Sequence, residues 1–85
     1  MESFIQKNKN EIDSLLPMLQ SGDSRFLGIE MIKCLCKKNE DKRLIVSYIK
    51  GKWKKGEFIM KKDVHDFLTK IEIESLKDSP PSDPA

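Results

Sequence analysis

The chain has almost none of the residues on which most enzymes depend. It holds one histidine, His65, two cysteines, one tryptophan and one tyrosine among 85 residues. General acid–base or nucleophilic catalysis needs a positioned base, usually histidine or a carboxylate of shifted pKa. His65 sits between Val64 and Asp66, where a helix start is expected, and reads as a solvated residue. Cys34 and Cys36 are two residues apart, about 200° around a helix at 3.6 residues per turn. They cannot share a metal there, and no other Cys or His completes four ligands. Burial as small apolar side chains accounts for both. Neither a catalytic centre nor a cofactor is expected.

Other absences narrow the class further. No run of about 18 apolar residues is present to cross a bilayer, so no membrane partner is expected. Met1-Glu2-Ser3-Phe4-Ile5 lacks the basic start and apolar stretch of a signal peptide. With cysteines too close for an ordinary disulfide framework, a reducing cytoplasm is the expected location. Ser21-Gly22-Asp23 lacks the glycine spacing and the following Lys-Ser/Thr of a phosphate loop.

What is present is charge, and it is segregated. Residues 31–62 carry eleven basic side chains against three acidic ones, a local balance of +8, while the whole chain is only +2. The segments on either side are acidic, at −2 for residues 1–30 and −4 for residues 63–85. A basic middle between acidic ends points to an acidic partner.

Apolar spacing predicts an all-α fold, a compact three- to four-helix domain over residues 1–77. Ser79-Pro80-Pro81-Ser82-Asp83-Pro84-Ala85 cannot continue a helix, and residues 78–85 read as a flexible tail. A first helix is expected from an Asn10 N-cap, with Ile12, Leu15, Leu16 and Leu19 in one stripe. Pro17 either kinks it or lies in the first turn of a helix starting at Ser14, with residues 3–9 adding a frayed or separate turn. A second helix, about 24–38, is apolar around most of its circumference and is expected at the centre of the core. Gly28 within it costs about 1 kcal/mol relative to alanine, a loss that close approach of a neighbouring backbone offsets. Asn39-Glu40-Asp41 reads as a break and a cap. Residues 42–50 suit a third helix ending at Gly51 and followed by a Trp53 loop, while a hairpin over 43–60 is the alternative. A last helix opens at Asp63 and carries Val64, Phe67, Leu68 and Ile71, with Ile73 and Leu76 extending it.

Within residues 12–36, the run Leu15-Leu16-Pro17-Met18-Leu19, the turn residue Asp23 and the small Gly28 facing its partner helix resemble one unit of a HEAT-like helical repeat. The resemblance implies an antiparallel helical hairpin and a protein-docking use. No second unit is visible at repeat spacing.

The expected binding surface runs from Lys50 through Lys52, Trp53, Lys54 and Lys55 to Lys61 and Lys62, joined by Lys37, Lys38, Lys42 and Arg43. Lysines there neutralise an acidic protein surface or phosphates, and an exposed indole stacks on an unpaired base or anchors a protein contact. The scarcity of arginine argues against base-specific readout, so any nucleic-acid partner is expected to be RNA or another single strand, favoured over DNA. The same segment also fits a lysine-rich loop with Trp53 folded onto the core, and the acidic last helix fits a partner for the chain's own basic middle. The functional expectation is a non-catalytic regulator or inhibitor. Short lysine-rich chains of this kind resemble small bacteriophage or bacterial accessory proteins. A homo-oligomer with Trp53 between copies is the structural alternative.

Overall fold

A computed structural model describes residues 3–77, and the expected tail at 78–85 lies outside them. Four helices follow one another: α1 (Phe4–Gln20), α2 (Arg25–Leu35), α3 (Asn39–Lys54) and α4 (Lys62–Lys77). No strand occurs among the described residues, so residues 43–60 are a helix and a turn, not a hairpin of strands.

The first helix starts earlier than Asn10. Ser3 is its N-cap, and a capping box forms: Ser3 Oγ accepts from the Gln6 N–H, while Gln6 Oε1 accepts from the Ser3 N–H. The backbone breaks at Asn8 (φ −110°, ψ 16°) rather than at Pro17. Asn8 Nδ2 donates to the Phe4 carbonyl at 3.0 Å, supplying a donor where the helical ladder is disturbed. Pro17 stands inside the helix on its exposed side. Its cost, about 3 kcal/mol in a helix interior, is set against four residues of the same helix that are buried: Ile12, Leu15, Leu16 and Leu19.

A four-residue turn returns the chain as α2, antiparallel to α1. Gly28 makes the approach possible. A Cβ there would stand 3.1 Å from Leu19 Cδ2 and 3.3 Å from Met18 Cβ. The second hairpin, α3 with α4, is also antiparallel: Arg43 near the start of α3 meets Ser75 near the end of α4, and Trp53 meets His65 at the other end.

The two hairpins stack with α1 on α3 and α2 on α4. Asp13 of α1 meets Tyr48 of α3, and Arg25 of α2 meets Asp63 of α4, each near corresponding points, so the stacked helices run the same way. A second hairpin thus follows the first in space, although no repeat shows in the residue pattern. Between them lies one core, including Ile12, Leu15, Leu19, Ile32, Ile45, Ile49, Val64 and Leu68, together with Phe58 from the turn.

The second helix is not the centre of this core. Ile29, Ile32 and Cys36 face inward, while Phe26 (79 % exposed), Leu27 (56 %) and Met31 (38 %) lie in solvent. Its apolar circumference reflects two different faces. Ile29 and Cys36 turn toward α4, whereas Leu27, Met31 and Cys34, spaced i, i+4 and i+7, line the opposite side.

Candidate cationic docking surfaces

The third helix determines where the lysines go. Asn39, Glu40 and Asp41 form its first turn instead of a break, with Lys38 at the N-cap. Gly51 lies inside the helix, and Trp53 belongs to its last turn rather than to a loop. The tight turn comes later, at Gly56, with φ of +80°. Sixteen helical residues span about 24 Å at 1.5 Å per residue. Lys37, Lys38 and Lys42 therefore sit at one end, and Lys54 and Lys55 at the other with Lys61 of the following turn.

Some of the expected contact residues are spent within the fold. Lys50 Nζ lies 3.2 Å from Glu72, Lys52 Nζ 3.6 Å from Glu57, and Lys62 Nζ 3.1 Å from Asp66. Arg43 donates to the Ser75 carbonyl at 3.2 Å. Lys37, Lys38, Lys42, Lys54, Lys55 and Lys61 have no carboxylate within 4 Å among the described residues. The basic segment resolves into two unpaired clusters at opposite ends of α3, separated by a paired middle.

At the C-terminal end of α3, Trp53 is 42 % exposed and stacks edge-on with His65, ring centroids 6.1 Å apart. The turn below it is fixed by the Ile59 N–H, which donates to Gln20 Oε1 at 2.9 Å.

At the N-terminal end the geometry is different. A groove of about 690 Å³ opens between the end of α2, the start of α3 and the face of α4. Lys33, Lys37, Lys42 and Lys70 stand around it, and Cys36, Phe67 and Ile71, all buried, form its floor. Asp66 and Glu74 also reach its edge. Lys33 pairs with Glu30 at 3.2 Å, while Lys70, like Lys37 and Lys42, has no carboxylate within 4 Å among the described residues. Burial pushes the Cys36 thiol up from its ordinary value, and Cys36 Sγ donates to the Ile32 carbonyl at 3.0 Å. It is a packed floor residue. Cys34, in contrast, is exposed on the other side of α2.

Lys33, Lys70 and the groove floor were not among the residues that composition alone singles out. The available signals were the i, i+4 spacing of Lys33 and Lys37, and a lone lysine at position 70 beside the core residue Ile71.

A third polar cluster ties the hairpins together. Tyr48 Oη donates to Asp13 Oδ1 at 2.6 Å, and Lys9 Nζ lies 2.7 Å from Asp13 Oδ2. Lys52 Nζ lies 5.4 Å from the centre of the Tyr48 ring. The hydrogen bond from Lys9, then that from Tyr48, hold the Asp13 carboxyl below its ordinary range. Desolvation and then Asp13 push the Tyr48 phenol up.

No family model, no curated protein and no solved structure matches the chain. Geometry and charge carry the functional argument. Among the described residues no helix is long and apolar enough to cross a membrane, and no group of three His, Cys, Asp or Glu could hold a metal ion.

Proposed function

We propose that this chain is a non-catalytic docking module that binds an acidic macromolecule through the cations of its central segment. The observation that carries the reading is the set of lysines that have no carboxylate within 4 Å among the described residues, Lys37, Lys38 and Lys42 at one end of α3 and Lys54, Lys55 and Lys61 at the other. Carboxylates are plentiful in this chain, and Glu72, Glu57 and Asp66 pair with Lys50, Lys52 and Lys62 of the same basic segment. Unpaired like charges raise on-rates for an oppositely charged partner and repel one another in its absence. The stacking of two hairpins supports relating the module to helical-repeat docking proteins such as the HEAT-like unit that residues 12–36 resemble. Regulation or inhibition of the partner is the role that fits a small chain without its own chemistry.

Fluorescence anisotropy with polyglutamate and with a single-stranded RNA, each at low and at moderate salt, tests the proposal. Binding of at least one probe, weakening as salt rises, is the expected result. If neither probe binds at low salt, the proposal fails.

A second reading has its own observation. Trp53 is half-exposed beside Lys54 and Lys55, the combination that stacks and neutralises an unpaired strand, worth about 1–3 kcal/mol per stacked base. Trp53→Ala then weakens binding to single-stranded RNA more than to a duplex of equal length. Equal weakening, or none, removes this reading.

A further inference from the structure

We infer that the groove between α2, α3 and α4 is a peptide site, taking an acidic protein segment that inserts one apolar side chain between its carboxylates. This rests on the proposed acidic partner and assigns it to one end of the molecule.

The groove combines a cationic wall with an apolar floor. Lys37, Lys42 and Lys70 come from three different elements and converge on one opening with Lys33. Between them the floor is Phe67, Ile71 and Cys36, which are apolar and buried. Lysines that merely solvate a surface point away from one another into water. Here they stand around a floor of which only the edges of Phe67 and Ile71 stay open, 8 % and 5 % exposed, enough for one partner side chain to touch but too little for a ring to stack. A volume of about 690 Å³ falls within the range of about 300–1,000 Å³ that small binding pockets occupy. It holds a few side chains, and not the width of a helix, about 10–12 Å, along its whole length.

The carboxylates of the groove favour a protein segment over a nucleic acid. Asp66, which pairs with Lys62, and Glu74 line the groove together with the lysines. An evenly charged phosphate chain laid across the groove would meet both carboxylates. A peptide places its negative charges at intervals and puts neutral residues opposite Asp66 and Glu74. Stacking on unpaired bases also needs an open aromatic face, and Phe67 is buried in the floor. The half-exposed indole is at the far end of α3.

The full chain is titrated with a fluorescein-labelled short peptide of alternating Glu and Asp around a single Leu, with the same peptide carrying Ser for Leu, and with oligouridylate. The measurements are repeated on K37Q/K42Q/K70Q and on K54Q/K55Q/K61Q, whose folds are checked by circular dichroism. The Leu peptide should bind. It should lose about tenfold in affinity on the groove variant and keep its affinity on the far-end variant, and the Ser peptide should bind more weakly than the Leu peptide. Equal binding of the two peptides overturns the inference, because the floor then does nothing. Loss on the far-end variant alone overturns it also, and so does oligouridylate that displaces the peptide from the groove; in both cases the acidic-partner reading survives. If neither peptide nor oligouridylate binds at low salt, that reading falls with it.

Discussion

The two hairpins are held shut by different means. Between α1 and α2 the contact is close and apolar, with Gly28 set against the side chains of Met18 and the fully buried Leu19. Between α3 and α4 it is made in part by long polar side chains reaching across, Lys50 to Glu72 and Arg43 to the Ser75 carbonyl. The other glycine within a helix, Gly51 of α3, has nothing within 4 Å of where a Cβ would stand. The charges of the first hairpin pair within one helix, Lys9 with Asp13 and Lys33 with Glu30, or across to the second hairpin, Arg25 with Asp63, and among the described residues no ion pair joins α1 to α2. Lys50 and Arg43 are taken up in closing the second hairpin, while lysines at the two ends of the basic segment, with Lys70 of α4, remain for a partner.

The largest test asks whether two such different hairpins are one cooperative unit. Ile32 of α2 and Ile49 of α3 are both fully buried in the shared core. Replacing either by alanine should cost about 2–5 kcal/mol, and each variant should unfold in a single denaturant transition seen alike by circular dichroism and by Trp53 fluorescence. If the Ile32 variant shows tryptophan unfolding later than helix loss, the hairpins are separate units and the common core is wrong.

The glycines sharpen the same comparison with opposite signs. Gly28→Val forces a branched side chain against Leu19, which cannot move into solvent, and should lose about 1–3 kcal/mol. Gly51→Ala enters open space in a helix and should gain up to about 1 kcal/mol. Thermal or urea midpoints of both variants measure this directly. A neutral Gly28→Val would mean that α1 and α2 are further apart than described.

How much of this was readable from the residues follows the same division. The apolar stripes of α1 and α4 were legible because each helix buries one face, and Ile12, Leu15, Leu16 and Leu19, or Val64, Phe67, Leu68 and Ile71, mark it directly. The residue pattern of the second helix carries two apolar faces and so points to the centre of the core, because periodicity does not say that only one of them is covered. Asn10 competed with Ser3 as an N-cap, and the capping box of Ser3 with Gln6 prevailed. Pro17 drew attention as a helix breaker, although the break is at Asn8, whose side chain can satisfy the freed carbonyl. The abundance of lysine was plain in the chain, but its division was not. Which ammonium groups are neutralised depends on Glu72, more than twenty positions away from Lys50, and the groove depends on Lys33 and Lys70 meeting across a helix pair.

A smaller effect is expected where the hairpins are joined by the Tyr48–Asp13 hydrogen bond. Tyr48→Phe should cost about 1 kcal/mol at neutral pH. The Asp13 carboxyl titrates below its ordinary range in the folded chain, so its contribution is present above the unfolded value, about 3.9, and is lost as pH falls through the lowered one. The raised Tyr48 phenol works in the other direction, favouring the fold below its ordinary value and losing that as pH rises through the raised one. The difference in stability between Tyr48→Phe and the unaltered chain should therefore shrink at the acid end. A gap that stays constant down to the acid limit would place the tyrosine's value in packing instead of in this bond.

The smallest expected effect concerns the face of α2 turned away from α4. Leu27 and Met31 lie beside Glu11 and Leu35 in a shallow groove on the outside of the first hairpin, where the second hairpin has no counterpart to cover them. If the chain is a monomer, Leu27→Ser removes a side chain that is more than half in water, and stability should fall by less than about 1 kcal/mol. Urea unfolding at two protein concentrations, with sedimentation of both proteins, reads this out. A loss well beyond that, together with a midpoint that rises with concentration only in the unaltered chain, would show that a second copy covers this strip. The first hairpin would then close by proximity on both of its sides, and the contrast with the ion-paired second hairpin would extend to the assembly.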